Sequence, residues 1–453
     1  MKRPLVVLIS ATTLFSGPLA GPAGAEAGWD PLWLAIEDTS TYQDGHPTAL
    51  AVDERTGRVH VTGSANPASG DLEEDFVTLS YAADGHLIRS RAFGDADDAD
   101  FARDMAVDPL SGGYYVTGWT SSPDVSPRMS TAAYGRSGNG LWETSIDHLF
   151  ATSVAVDATR DRVYVAGQKG YDALVVAYSR PTGQLLWSRK VVGNGLAYDG
   201  PFIDVHPGTG TVVMAWHNVG ADDWNDFVTA AYSSTGRPLW NVRYDSPAAG
   251  HDMATALAVA GDGIYVLGTS YNRRKAEDDI VTLAYNLDGS RRWVANYEGP
   301  AADQDTGLDI AADPVSGTVV VTGRVQYDDA GGHLAYGGVT VAYETADGNQ
   351  KWDVVSELRR GDAIAVDPSR GVVYAVATTY DPTNWATSAY DIEDGGLLRE
   401  DVFSDPLGSP YTVSVDIGVD TRSGQVYVTG AFAGTVDPFV DDTYATMAYP
   451  PAR

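Results

Sequence analysis

The stretch Ser423–Phe432, SGQVYVTGAF, decides the fold because its core recurs along the chain, as TGRVHVTGSA at Thr56–Ala65 and as SGTVVVTGRV at Ser316–Val325. Extended toward its N-terminal side, the motif has eight copies. They are AVDERTGRVHVTG from Ala51, AVDPLSGGYYVTG from Ala106, AVDATRDRVYVAG from Ala155, DVHPGTGTVVMAW from Asp204, AVAGDGIYVLG from Ala258, AADPVSGTVVVTG from Ala311, AVDPSRGVVYAVA from Ala365 and GVDTRSGQVYVTG from Gly418. The third position advances from Asp53 to Asp420 in steps of 49 to 55 residues. A period of this length marks supersecondary units that bury their apolar faces only by stacking on one another.

Each unit continues with a second recurring piece, clearest as DFVTLSYAADG from Asp75, DFVTAAYSSTG from Asp226 and DIVTLAYNLDG from Asp279. One tyrosine marks it in every copy: Tyr81, Tyr134, Tyr178, Tyr232, Tyr285, Tyr343, Tyr390 and Tyr449. A glycine turn follows, then a short run marked by Trp142, Trp187, Trp240, Trp293 and Trp352, with Arg89 and Arg399 at that place in two units. Short β-branched and aromatic runs between Asp, Gly and Pro turns read as four strands per unit, and no segment carries a helical period. Eight such units predict an all-β protein, an eight-bladed β-propeller of four-stranded antiparallel blades. The last unit stops after its third strand, at Tyr449. Leu32-Trp33 matches Leu239-Trp240, and the spacing from Trp33 to Ala51 equals that from Trp240 to Ala258. The N-terminal strand is therefore expected to complete the last blade and close the ring.

The chain starts with Lys2 and Arg3, an apolar run from Leu5 and the small-residue pattern Ala23-Gly24-Ala25. That is the pattern of a cleaved secretory signal peptide over residues 1–25, leaving residues 26–453 as a single propeller domain that is exported or secreted. The absence of cysteine excludes a lipid-modified lipoprotein, disulfide staples and thiolate metal sites. The net charge of −31 becomes −33 once Lys2 and Arg3 are removed. Such a surface repels nucleic acid and anionic lipid and attracts cations. No run is long enough to span a membrane, and a monomer is expected.

The pairing of AVD…G.VYVTG with D.VT.AY…G…W resembles the bacterial SBBP-type β-propeller repeat and, less closely, the YVTN-type surface propellers, over essentially the whole mature chain. That family's members are mostly exported proteins without an assigned reaction, so the resemblance implies the fold and export. The stretch AYSRPTGQLLW, Ala177–Trp187, also resembles the tryptophan-docking motif of quinoprotein propellers, and AYETADGNQKW, Ala342–Trp352, repeats its spacing with Asp347 in place of Thr. In that family the motif locks adjacent blades together, which implies a packing role here. The vicinal cysteines and haem-attachment sequence of quinoprotein dehydrogenases are absent from this chain.

Function is expected on one face. The turns joining first to second and third to fourth strands are short and stereotyped, and Asp53, Asp108, Asp157, Asp313, Asp367 and Asp420 read as turn caps. The opposite face carries loops that vary in length and chemistry, such as SANPASGDLEED from Ser64 and RVQYDDAGGHLAYGG from Arg324. There an aspartate precedes each of several first strands: Asp44, Asp100, Asp199, Asp252, Asp305 and Asp362. These carboxylates are expected around the channel mouth, as turn caps or as oxygen ligands of a calcium ion. His46 and His251 fall beside Asp44 and Asp252, a pattern open to a transition metal or to coincidence among polar loops. Motifs for a serine hydrolase, a zinc protease or a nucleotide-binding loop are missing. The sequence thus points to a binding or scaffold protein for an extracellular glycan or protein ligand, requiring no cofactor unless calcium is bound. A quinoprotein-like or carbohydrate-active enzyme with its site at the channel mouth is the alternative.

Overall fold

The computed structural model describes residues 29–36, 42–67, 74–94, 98–122, 125–191, 200–219, 224–247, 250–272, 277–301, 304–328, 333–357, 359–380, 384–404, 412–432 and 443–453. Their strands form eight four-stranded antiparallel sheets in simple up-and-down order. Blades 1 to 7 start with the inner strands Tyr42–Asp53, Ala99–Val107, Phe150–Asp157, Phe202–Val205, Asp252–Ala260, Thr306–Asp313 and Arg359–Asp367. Blade 8 starts with Thr412–Val419 and ends with the third strand Thr443–Tyr449, against which Trp33–Ile36 pairs as the fourth. The register Trp33↔Ala448 to Ile36↔Ala445 closes the ring as the sequence predicts.

Burial falls from the second and third strands to the rim. The second strand Arg162–Lys169 buries Val163, Tyr164, Val165 and Ala166 in succession because neighbouring blades cover both of its faces. The outermost strand Gly140–Asp147 alternates between exposed and half-buried residues. This is why the VYV core of the opening motif is apolar on both sides of the pleat, whereas the tryptophan strand is mixed.

The glycine that ends the motif has a separate cause. Seven inner strands carry a bulge, as between Ala254 and Ala256 or Ala102 and Asp104. At each bulge the inner-strand backbone presses onto the second strand. A Cβ on Gly63, Gly118, Gly167, Gly268, Gly323 or Gly430 would overlap the carbonyl oxygen of His46, Phe101, Phe150, Met253, Thr306 or Val413. The two units lacking this glycine support the explanation. Blade 4, with Trp216 at that place, has a four-residue inner strand with no bulge. Blade 7, with Ala377, puts Gly361 opposite it instead.

Adjacent blades are joined by the tryptophans of the fourth strands. Trp33, Trp142, Trp187, Trp240, Trp293 and Trp352 each donate the indole N–H to a backbone oxygen in the next blade's turn, on Ala83, Arg180, Ser234, Leu287, Thr345 and Ile392, at 2.8–3.0 Å. Each indole face lies against a glycine of that turn: Gly85, Gly183, Gly236, Gly289, Gly348 or Gly395, where a Cβ would come within 2.6–2.7 Å of the ring. These glycines also have positive φ, so two constraints select the same residue. The marker tyrosine of the next blade touches the indole from the side, as in Trp240–Tyr285 and Trp352–Tyr390. The docking motif is thus a packing device at six of the eight junctions. Between blades 1 and 2, Arg89 packs under Gly138 and Arg91 donates to the Gly138 carbonyl at 2.8 Å. Between blades 7 and 8, Trp29 lies between Tyr374 and Tyr449 and donates to the Pro450 oxygen at 2.9 Å.

Two stability predictions follow from these contacts. Gly268→Ala should cost on the order of 3 kcal/mol or more in urea unfolding, because the inner strand must move, and a cost below about 1 kcal/mol would contradict the bulge explanation. Deleting residues 26–39 should lower the melting temperature sharply or cause aggregation, since it exposes the edge of Thr443–Tyr449. Melting like the intact mature chain would show that the strand does not close the ring.

Candidate functional site

The structure separates the rim aspartates into individual blade junctions. Asp252 is buried and accepts the Ser246 N–H at 2.7 Å and the Ser270 hydroxyl at 2.5 Å. Asp305 is buried and accepts the N–H of Gly299 at 2.5 Å and of Gln326 at 3.1 Å. Asp100 is buried and accepts the Thr120 hydroxyl. Asp252 and Asp305 thus tie the segment leaving one blade to the first two strands of the next, and Asp100 ties the first two strands of blade 2. Asp362 stands at the bulge of its strand and binds Arg360, Thr378 and Ser414. The backbone of Asp44 belongs to the inner strand of blade 1, while Asp199 lies outside the described residues.

Each of the first three faces an aspartate at the start of the preceding blade's third strand, the D of the D.VT.AY piece. Asp75 and Asp100 both border Gly94. Asp279 and Glu277 act on Asp305, whose carboxyl burial pushes up to about 6. Asp226, Asp245 and Asp252 place one oxygen each within 4.8 Å of one another, and Arg243 pairs with Asp226 at 3.0 Å. Burial also holds the Asp252 carboxyl above its ordinary value. Open clefts accompany two of these junctions. One of about 230 Å³ is bordered by Tyr244, Ser246, Ser270 and Asn296, and another of about 450 Å³ by Gly94, Asp100, Thr120, Arg128 and Ser145. His46 pairs with Ser64 in blade 1, while His251 meets the edge of Trp224 beside blade 5, so the two histidines are four blades apart.

The turn aspartates are caps, as read from the sequence. Asp53 accepts the Arg55 N–H and the Thr56 hydroxyl, and Asp367 accepts the Ser369 N–H and hydroxyl. Arginines extend several caps to the next blade. Arg370 binds Asp367 at 2.8 Å and the Thr421 oxygen at 2.9 Å, and Arg160 binds Asp157 at 3.0 Å and the Gly208 oxygen at 2.7 Å.

A second set of carboxylates, missed in the sequence, belongs to the inner strands. Asp104, Asp204, Asp309 and Asp416 come from blades 2, 4, 6 and 8. Each accepts the N–H of its own successor at 2.7–2.8 Å: Met105, Val205, Ile310 or Ile417. The other oxygen accepts an N–H from the next blade's inner strand, on Val154, Val259, Ile364 or Leu50, at 2.7–2.9 Å. Every even blade is therefore bonded to the following odd blade. Burial pushes Asp104, Asp204 and Asp309 up to about 6 and Asp416 up to about 7, and the Asp309 and Asp104 charges add to the effect on Asp416. All four keep some exposure to water, so their desolvation is incomplete.

These folded values lie above the ordinary 3.8, so the native state binds more protons and stability falls as pH rises through the window from about 4 to 7. Asp305 and Asp401 act in the same direction. His60 acts in the opposite one, since burial pushes its ring down to about 4. Urea unfolding should show greater stability at pH 5.5 than at pH 7.5. Asp416→Asn should shrink that difference by on the order of 1–2 kcal/mol. A pH profile unchanged by the substitution would contradict the assignment.

The family whose profile matches is described as "Outer membrane protein assembly factor BamB", with matches over residues 129–327 and 210–429, together about two thirds of the chain. The chain belongs to the PQQ-like β-propeller family. Solved structures support the fold alone. The C-terminal WD40 domain of Sif2 superposes with a TM-score of 0.57 at 7% identity, covering 91% of this chain and 98% of that one. The Dos1 propeller gives 0.54 at 10% identity, covering 89% and 93%. A search of the curated proteins finds no match. The inner wall of this PQQ-like propeller does not fit the quinone of the family's name. Pyrroloquinoline quinone is a tricarboxylate, and Asp104, Asp204, Asp309 and Asp416 offer it further carboxylates, with backbone N–H groups already engaged.

Proposed function

We propose that the chain is an exported binding or scaffold propeller of the bacterial SBBP type, holding an envelope or extracellular partner on the face that carries its blade-to-blade connections. The observation that carries this reading is the contrast between the two faces. The turn face satisfies itself with buried aspartate caps and arginine cross-links, whereas the connector face holds both clefts and an exposed aromatic group. The family description names an assembly factor, which is in keeping with a binding role. The protein works as a monomer, and the net charge of −33 left after removal of Lys2 and Arg3 keeps nucleic acid away.

Capture of envelope material by mature protein, followed by hydrogen-exchange footprinting, should protect the connector face. Leu110→Glu and Val315→Glu, at exposed turn-face positions, should leave capture unchanged. Loss of capture in those variants would overturn the reading, and dye-linked dehydrogenase turnover with added quinone and calcium would replace it with the enzyme alternative. In the same reading, calcium is taken by Asp226, Asp245 and Asp252, whose oxygens lie within 4.8 Å. Millimolar calcium should then raise the melting temperature more than sodium chloride of equal ionic strength, and Asp252→Asn should remove the increment. Equal effects of the two salts would contradict calcium binding by these three carboxylates.

A further inference from the structure

At the junction of blades 6 and 7 two exposed tyrosine rings and two arginines come together on the connector face. Tyr336, on the third strand of blade 6, is 39% exposed, and Tyr380, just past the second strand of blade 7, is 44% exposed. Their ring centroids are 6.0 Å apart with the planes at 46°, forming an open, shallow V. The Arg324 guanidinium lies 4.9 Å from the Tyr336 centroid. Arg360 and Asp362 stand close enough to act on the Tyr380 phenol, as does Arg324. Gly338 lies directly against Gly361 across the blade junction.

The chain holds 61 acidic and 30 basic residues, and about half of its described arginines pair with a carboxylate, as Arg128 does with Asp98 and Arg243 with Asp226. Arg360 pairs with Asp362 at 2.5 Å and Arg359 with Glu400. Arg324 has no carboxylate partner among the described residues, and its Nε is buried without an acceptor there. Holding a guanidinium over a ring without an anion leaves its strongest interaction unused. The rings beside it are phenols on a surface, with none of the two clefts among their surroundings, which suits a flat ligand better than an inserted apolar side chain.

We infer that this junction binds an acidic saccharide, with Tyr336 and Tyr380 against the C–H faces of the sugar rings and Arg324, assisted by Arg360, on a uronate carboxylate. The inference rests on the connector-face reading above and specifies the ligand class. A planar guanidinium pairs with a carboxylate through parallel N–H bonds, and sugar C–H faces are complementary to the electron-rich faces of phenols. An acidic peptide offers the same carboxylate without a broad C–H face, so the two ligand classes separate experimentally.

The test uses the mature protein, residues 26–453, with oligogalacturonate, its methyl ester and a glutamate-rich peptide as probes in isothermal titration calorimetry. Oligogalacturonate should bind, and its methyl ester, which keeps the sugar faces and loses the charge, at least about tenfold more weakly. Arg324→Gln and Tyr380→Ala should each weaken binding about tenfold or more, whereas Arg324→Lys, which keeps charge and loses the planar fork, should fall between. Unchanged melting temperatures in these surface variants would confirm that folding is intact. Equal binding of the methyl ester, tighter binding of the peptide, or no effect of the variants would overturn the inference. If oligogalacturonate fails to bind while envelope capture on the connector face persists, the saccharide assignment falls and the binding role stands.

Discussion

The interaction on which this structure depends is the contact of an indole with a glycine turn in the next blade. A four-stranded blade has two apolar faces and two open edges, so it is stable only between neighbours. At six junctions a tryptophan combines ring packing with an N–H bond to a backbone oxygen across the gap, and so sets both the spacing of the blades and their relative rotation. One of these, Trp33, belongs to the strand that closes the ring, so closure and locking are performed by the same four-residue segment. The turns that receive the indoles cannot be rebuilt with larger residues, and the sequence is repetitive because the junction is.

The inner wall is joined by a different chemistry. Four carboxylates bridge even blades to odd ones, accepting backbone N–H groups that the bulged strands leave available. Ionised, each can accept two such bonds; protonated, it loses acceptor capacity but is relieved of burial and of like charge. The wall therefore trades bonding against electrostatics, and the balance moves with pH. On the turn face the same residue type, as in Asp53 and Asp367, caps turns beside arginines.

Blade number, strand order and the closing strand were legible in the sequence because each is tied to a residue that nothing else replaces, such as the tryptophan under its glycine or the final glycine of the motif against a bulge. The function of the rim aspartates was less so. Their recurrence before the first strands was visible, but whether they face one another or their own junction depends on how far the blades splay, which no single repeat encodes. The inner-wall carboxylates left a faint signal: Asp104, Asp309 and Asp416 each precede the turn aspartates Asp108, Asp313 and Asp420 by four residues. Asp204 breaks that pattern, being two residues before His206 in the blade whose inner strand is shortened. The Tyr336–Tyr380 group had no sequence signal, because its two rings come from different blades.

The contact between Trp240 and Gly289 offers the most direct test of the junction. A double-mutant cycle with Trp240→Ala and Gly289→Ala, followed by urea unfolding, separates the clash with the indole from the cost of an alanine at positive φ. If the indole sets the spacing, Gly289→Ala should be less costly by on the order of 1–3 kcal/mol when Trp240 is already removed. Additive effects within about 0.5 kcal/mol would show that the two residues do not act on each other, and that something other than the indole holds the blades together.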